Sequence, residues 1–225
     1  MKPGKILRIG HRGAAGHAPE NTLAAVEKGI GLGADFVEVD VQRTRDNHLV
    51  CIHDKFVDRT TNGSGAVQDF RLDELQQLDA GRGERIPALR EVLAAASGRT
   101  GVLLESISPG TGPEILEAVK SFGLRSPVIF SSFLHRELAD IRRRDSGAKT
   151  MALLEGIPLD MPGFALEAGA THAGLSIDSI SKEFVEALHG AGLQVFVYTV
   201  DDAKSIQMAR SLNVDGLVSN YPERL

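Results

Sequence analysis

Short apolar runs rich in β-branched residues recur at positions 6–10, 36–41, 49–53, 102–105, 128–131, 150–154, 172–177, 194–199 and 214–219. Runs of this length and composition read as strands. Between most of them the apolar positions change to three-four spacing, the signature of an amphipathic helix. Leu23, Val26 and Ile30 follow Asn21-Thr22, one of which caps the helix, and Ile115, Leu116, Val119 and Phe122 follow Pro113, a favoured first-turn residue. Phe184, Val185 and Leu188 follow Ser181, and Ala203, Ile206 and Ala209 follow Asp201-Asp202. Gly31, Gly123, Gly169 and Gly190 stand where these helices should stop.

Strands that alternate with helices predict βα units and a mainly parallel sheet. One pair breaks the rhythm, because only residues 42–48 separate 36–41 from 49–53. A parallel crossover needs roughly a dozen residues, so these two strands form an antiparallel hairpin. Without the return strand, eight βα strands remain, the number that closes a (β/α)8 TIM barrel. An open doubly wound sheet would call for a glycine-rich phosphate loop after the first strand, and Gly10-His11-Arg12-Gly13 does not fit one. Residues 1–225 are therefore expected to form one barrel domain. Residues 54–85, with a short helical stretch at 72–78, leave the rhythm as a loop excursion beyond the hairpin.

Composition narrows the partners. The chain has 25 basic and 30 acidic residues, a formal charge of −5, which provides no basic field for nucleic acid. Cys51 is the only cysteine, so no internal disulfide can form. Lys2, Pro3, Gly4 and Lys5 break the N-terminus before a signal-like apolar core develops, and no run approaches the ~18 apolar residues of a membrane span. The expectation is a soluble, cytoplasmic protein.

Reactive groups of such a barrel belong at the C-terminal strand ends. The first strand ends in His11-Arg12, the second carries Glu38 and Asp40 two apart and hence on one face, and the next βα strand ends in Glu105. A two-residue turn at Asp46-Asn47 sets Arg45 opposite His48 and Asp40 opposite His53, bringing a second histidine level with the carboxylates. Three crowded carboxylates in apolar strands are costly without a cation. An all-oxygen set suits Mg²⁺ or Ca²⁺ better than zinc. Two imidazoles beside a metal-bound anion, with Arg12 adjacent, suit phosphodiester cleavage by paired proton transfer. The other histidines (His17, His48, His135, His172, His189) lack such company and read as surface or packing residues, Cys51 as a small buried hydrophobe, Arg142-Arg143-Arg144 as a solvated face, and residues 58–61 as a loop-shaping segment.

Two blocks carry a family resemblance. One is His11-Arg12-Gly13 with Pro19-Glu20-Asn21-Thr22; the other is Glu38-Val39-Asp40-Val41 with Thr44, Asp46, Val50 and His53-Asp54, extended by Asp58-Arg59-Thr60-Thr61, Gly63 and Gly65. Together with Ile86-Pro87-Ala88-Leu89, Ser132-Phe133, Thr199-Val200-Asp201 and Val214-Asp215-Gly216-Leu217, they make the chain resemble the glycerophosphodiester phosphodiesterases nearly end to end. The resemblance implies a (β/α)8 barrel that converts glycerophosphodiesters to sn-glycerol 3-phosphate and an alcohol, through a cyclic phosphate formed by the glycerol 2-hydroxyl. It implies that His11 and His53 are the histidine pair, that Arg12 binds phosphate, and that Glu38, Asp40 and Glu105 hold Mg²⁺ or Ca²⁺. Three positions depart from the family pattern: Ile107 in place of a lysine, Tyr198 in place of a tryptophan, where it can still line the substrate, and Asn220 in place of an aspartate. The lost lysine keeps two other readings in view, the same barrel acting on a lysophospholipid or another phosphodiester, and a non-catalytic phosphoryl-headgroup binder.

Overall fold

The structure, a computed structural model, describes residues 5–225. Its strands are β1 (Leu7–Gly10), β2 (Phe36–Arg43), β3 (Leu49–Cys51), β4 (Gly101–Ser106), β5 (Val128–Ser132), β6 (Lys149–Leu154), β7 (His172–Ser176), β8 (Gln194–Tyr198) and β9 (Gly216–Ser219). All except β3 are parallel, and pairing of β1 with both β2 and β9 closes the ring of eight. Helices α1 (Leu23–Gly31), α3 (Leu89–Ala96), α4 (Thr111–Phe122), α5 (His135–Arg144), α6 (Gly163–Glu167), α7 (Lys182–Gly190) and α8 (Ala203–Ser211) wrap the outside, while α2 (Leu72–Leu75) lies in the excursion. A 3₁₀ turn at Pro222–Arg224 stands where an eighth outer helix would follow β9.

The period-two alternation of β2 explains both faces of the wall. Val37, Val39 and Val41 point outward against α1 and α3, packing with Val26, Leu89 and Val92. Phe36 points inward and joins Ile9, Leu103, Ile129, Met151, Leu153, Phe196 and Val218 in a separate inner core. Gly101 and Gly216 leave room for the Phe36 and Phe196 rings, which a Cβ at either position would meet within 2.8 Å. Higher on the same inward rows stand Glu38, Asp40 and Glu105, so the apolar floor and the polar site are successive layers of one alternation.

Helix starts follow their caps. Thr22 Oγ1 accepts from Ala25 N, Ser181 Oγ from Phe184 N, and Asp202 Oδ1 from Lys204 N and Ser205 N. Gly123 and Gly169 end their helices in left-handed conformations, as expected. Gly31 and Gly190 are themselves the last helical residues, and the left-handed turns fall two residues later on Gly33 and Gly192.

The hairpin register differs from expectation by one residue. Val41 pairs with Cys51, Gln42 with Val50 and Arg43 with Leu49, around a three-residue loop closed by a 2.9 Å Thr44 N–His48 O bond. Asn47 takes the left-handed conformation that such loops require, with φ of +63°. Asp46 Oδ1 is held by Thr44 Oγ1 and Leu72 N, which commits the longer loop. Asp40 consequently lies opposite Ile52, whose N–H it accepts at 3.0 Å, and not opposite His53. The excursion packs on a small core of its own made by Val50, Ile52, Val57, Val67, Leu75, Ala80 and Ile86, and its α2 stops at Leu75, short of position 78.

Candidate active site

At the C-terminal mouth of the barrel lies a cavity of about 190 Å³, lined by His11, Arg12, Glu38, Asp40, His53 and Glu105 on one side. Leu103, Ser131, Phe133, Met151, Leu153, Glu155, Tyr198, Thr199 and Val218 line the rest. Every residue singled out from the sequence for chemistry therefore borders one space, including Tyr198.

His53 reaches it despite the shifted register. Strand β3 ends at Cys51, and the side-chain amide of Gln42 lies 3.1, 2.9 and 2.7 Å from the carbonyl oxygens of Ile52, His53 and Asp54. That clamp bends the chain out of the ladder and turns the imidazole inward. Its Nδ1–H donates to Asp54 Oδ1 at 2.8 Å. Asp54 is held by Arg59, whose hydrogen bonds, opposed by burial and helped by His53, lower its pKa below the usual carboxylate range.

Arg59 spans to Glu20 as well, and Glu20 in turn accepts from Arg12 at 2.6 Å. Burial pushes Glu20 up, but the bonds from Arg59 and Arg12 outweigh it and bring the carboxyl to about 2. His53, Asp54, Arg59, Glu20 and Arg12 thus form one continuous polar chain from the excursion to the end of β1.

His11 is anchored differently. Its Nδ1 lies 2.8 Å from Asn220 Oδ1, and Asn220 Nδ2 donates to Asp201 Oδ2 at 2.6 Å. Because the amide nitrogen faces Asp201, the amide oxygen must accept from His11, which places the proton on Nδ1 and leaves Nε2 as a lone pair. Burial, with the Arg12 charge beside it, lowers the His11 pKa against the opposing pull of Asn220, Asp40 and Asp201. The neutral ring is favoured.

Glu38, Asp40 and Glu105 each offer an oxygen within 4.8 Å of the others. Arg12 N donates to Glu38 Oε2 at 2.6 Å, from a backbone with φ of +48°, an unusual conformation for arginine that sharply turns the chain after β1. Asn21, also at positive φ, donates from Nδ2 to Asp40 Oδ2 and accepts from Asp40 N. Arg12 Nε lies 3.2 Å from Asp40 Oδ2. Glu38 Oε1, fully buried, has no hydrogen-bond partner among the described residues. Burial first, then the neighbouring acids Asp40 and Glu105, raise Glu38 well above its ordinary value, and burial followed by Asp40 pushes Glu105 up to about 8. An oxygen-only trio with an orphaned buried oxygen and such self-repulsion fits a divalent ion.

Ile107 does not line this cavity. It borders a neighbouring groove with Gln42, Arg43, Arg45, Lys55 and Gln68. Among the residues lining the cavity, Arg12 is the one permanently charged cation, set against Glu38, Asp40, Glu105 and Glu155. His172, as expected, packs far from the mouth, edge-on to Phe196.

Sequence reasoning missed the supports. Asn21 was readable only as an alternative cap to Thr22, although a second polar residue beside a sufficient cap was a signal that it served elsewhere. Glu20, Arg59 and Asp201 show their roles only once the chain closes on itself, and Glu155 continues the inward row of Met151 and Leu153 one step beyond β6.

Residues 11–224 match the model of the glycerophosphoryl diester phosphodiesterase family. The chain is 37% identical to the glycerophosphodiester phosphodiesterase of Caldanaerobacter subterraneus subsp. tengcongensis, over 98% of this chain and 96% of that protein. It is 32% identical to the glycerophosphodiester phosphodiesterase of Bacillus subtilis, over 99% of this chain and 86% of that one. Among solved structures, an Oleispira antarctica phosphodiesterase in complex with its product sn-glycerol-3-phosphate aligns with a TM-score of 0.89 at 28% identity, covering 96% of this chain and 93% of that one. With likeness of sequence and of backbone running through the whole barrel, the chain belongs to the glycerophosphoryl diester phosphodiesterase family, a group of phosphoric diester hydrolases.

Proposed function

We propose that the protein hydrolyses glycerophosphodiesters to sn-glycerol 3-phosphate and an alcohol, with His11 and His53 as the proton-transfer pair. The observation that carries this reading is the convergence of both imidazoles, Arg12 and three carboxylates on one small cavity. Glu38, Asp40 and Glu105 would hold a divalent ion, Mg²⁺ or Ca²⁺, as oxygen donors suited to hard cations. When bound, the ion supplies positive charge against the carboxylates and the phosphoryl oxygens.

The two histidines differ in ways that divide their work. His11 is buried, neutral and fixed with Nε2 free, which suits it to take the proton from the glycerol 2-hydroxyl as that oxygen attacks phosphorus. His53 has a side chain 41% exposed and stands at the open edge of the mouth, where the ring, entering the cycle as the imidazolium paired through Nδ1–H with Asp54, gives its Nε2 proton to the departing alcohol oxygen. The P–O bond to the alcohol breaks as the P–O2 bond forms, leaving a five-membered cyclic phosphate. Water then enters where the alcohol left, gives a proton to His53 and attacks phosphorus. The proton on His11 returns to O2, and both rings regain their starting states. Arg12, aligned by Glu20, faces the phosphoryl oxygens throughout and offsets their charge.

We place the enzyme in the cytoplasm. Its one thiol, Cys51, is free and buried, so the fold depends on no internal disulfide and suits a reducing compartment. Among the described residues no helix is long and apolar enough to cross a membrane.

The test is release of sn-glycerol 3-phosphate from glycerophosphocholine and glycerophosphoethanolamine by the metal-supplemented protein, abolished by chelator. Inertness toward every glycerophosphodiester would overturn the proposal.

A further inference from the structure

Asn220, one of the positions that depart from the family pattern, joins two groups that never meet. Its Oδ1 lies 2.8 Å from His11 Nδ1, and its Nδ2 donates to Asp201 Oδ2 at 2.6 Å. Asp201 sits just past β8, Asn220 just past β9 and His11 just past β1, three successive strands of the ring. Neither Asp201 nor Asn220 lines the cavity.

The far end gives this relay its direction. The other carboxyl oxygen of Asp201, Oδ1, accepts from the backbone N–H of Asn220 and from Ser219 Oγ, both at 2.8 Å. A backbone N–H can only donate, so the group at the Oδ1 position must be an oxygen. Ser219 Oγ is in turn the acceptor for Tyr221 N at 3.0 Å, which leaves its own proton for Asp201. In an aspartate Oδ2 accepts as well, and the Asn220 amide has to present its nitrogen there and its oxygen to His11. The ring then donates from Nδ1, and the lone pair falls on Nε2. Each link follows from the one before it, and the first is a peptide group.

We propose that Asp201 is the positioning residue that selects which nitrogen of His11 acts as the base, through the orientation it imposes on the Asn220 amide. The inference rests on the phosphodiesterase reading, which makes His11 the base, and adds the group that aims it. The relay can be inverted by moving its charge. In Asp201→Asn the new amide keeps its oxygen at the Oδ1 position, against the backbone N–H, and its NH₂ takes the place of Oδ2. Two NH₂ groups cannot donate to each other, so the Asn220 amide turns over and offers Nδ2 to His11. The ring must then accept at Nδ1, and its proton moves to Nε2, where a base needs a lone pair. In Asn220→Asp two carboxylates face each other across the 2.6 Å now bridged by a hydrogen bond, and they must share a proton. Combining the two substitutions restores the original sense: the new amide donates to the new carboxylate, whose other oxygen accepts from His11 Nδ1.

The test measures kcat and KM on glycerophosphocholine, together with nitrogen NMR of the metal-supplemented protein labelled in histidine, which reports each ring's protonated nitrogen without substrate. Asp201→Asn should lower kcat at least ~100-fold, the low end of what a general base supplies, with KM little changed. The ring whose signals are missing in His11→Gln should move from the Nδ1–H to the Nε2–H form. The exchange Asp201→Asn with Asn220→Asp should return that ring to Nδ1–H and recover kcat to within about tenfold of wild type. A merely structural Asp201 predicts the reverse pattern, with the isosteric asparagine mild, the two substitutions additive and the ring unmoved. An unmoved ring in Asp201→Asn, near-normal kcat in that variant, or an exchange no better than its single parents would each overturn the inference and leave the phosphodiesterase reading standing. A wild-type protein inert toward every glycerophosphodiester would overturn that reading instead, and the ring signals would then judge the relay alone.

Discussion

Removing the divalent ion should make the fold lose stability as the pH rises, and restoring the ion should abolish that loss. In the metal-free protein, burial and then the Asp40 charge carry Glu105 up to about 8, while an unfolded glutamate titrates at 4.5. Between those values the folded state holds a proton that the unfolded state has released, so stability falls with rising pH and levels off above 8. At about 1.36 kcal/mol per unit, a rise from 4.5 to about 8 sets an upper bound on the order of 5 kcal/mol for Glu105 alone. Its side chain retains partial solvent access, which trims this to ~2–4 kcal/mol. Glu38, raised in the same direction by burial and its acidic neighbours, adds to the trend. For a domain of this size each kcal/mol moves Tm by roughly 2–4 °C, so the chelated protein should melt ~5–15 °C lower at pH 8 than near pH 5. If the trio is the ion site, millimolar Mg²⁺ or Ca²⁺ should bind the deprotonated acids, and the stabilisation it brings should grow over the same interval. The assay is thermal unfolding followed by circular dichroism, with chelator or with ion, at half-unit pH steps, and with Glu105→Gln as a variant whose chelated slope is shallower. A chelated Tm that is flat or climbs through this window would refute the electrostatic account of the trio.

The other expectations are more local. His53→Ala should lower kcat at least ~100-fold while ion-dependent stabilisation persists, and near-normal turnover would remove it from proton transfer. Arg59→Ala should change stability by less than ~1 kcal/mol, because its ion pairs are half exposed, yet lower kcat about tenfold as Asp54 and Glu20 lose their shared partner; turnover equal to wild type would dismiss that link. Gly13→Ala should cost roughly 3 kcal/mol or more, since its φ is +87° and a Cβ would stand 2.4 Å from the Ala25 carbonyl carbon. Chemical denaturation measures it, and a loss under ~1 kcal/mol would mean that the turn after β1 relaxes freely.

The barrel was legible because its signals are local. Alternation in β2 marks its inward acids and outward valines, and the spacing between 41 and 49 leaves no choice but a hairpin. The register of that hairpin was not legible. It depends on Asn47 accepting a left-handed backbone and on Asp46 being claimed by Leu72, a residue 26 positions away. Site membership survived the error for an unrelated reason, the Gln42 amide gripping the three carbonyls after β3. The partners of the reactive groups were hidden for the same cause. Asn220 meets His11 across 209 positions, and only closure of β9 on β1 makes them neighbours. The acids themselves announced their purpose, because charged residues amid valine and leucine have few other uses.

The apolar floor has a kinetic corollary. Ile9, Phe36, Leu103, Ile129, Met151, Leu153, Phe196 and Val218 cork the barrel from beneath, so the chamber above them has a single doorway. Whatever sits on the deepest oxygens must arrive first and depart last, with the organic molecule queued on top of it. Chelators should therefore strip the resting enzyme and be slowed by a saturating diester, an order of traffic imposed by eight apolar side chains that carry no charge and no proton to transfer.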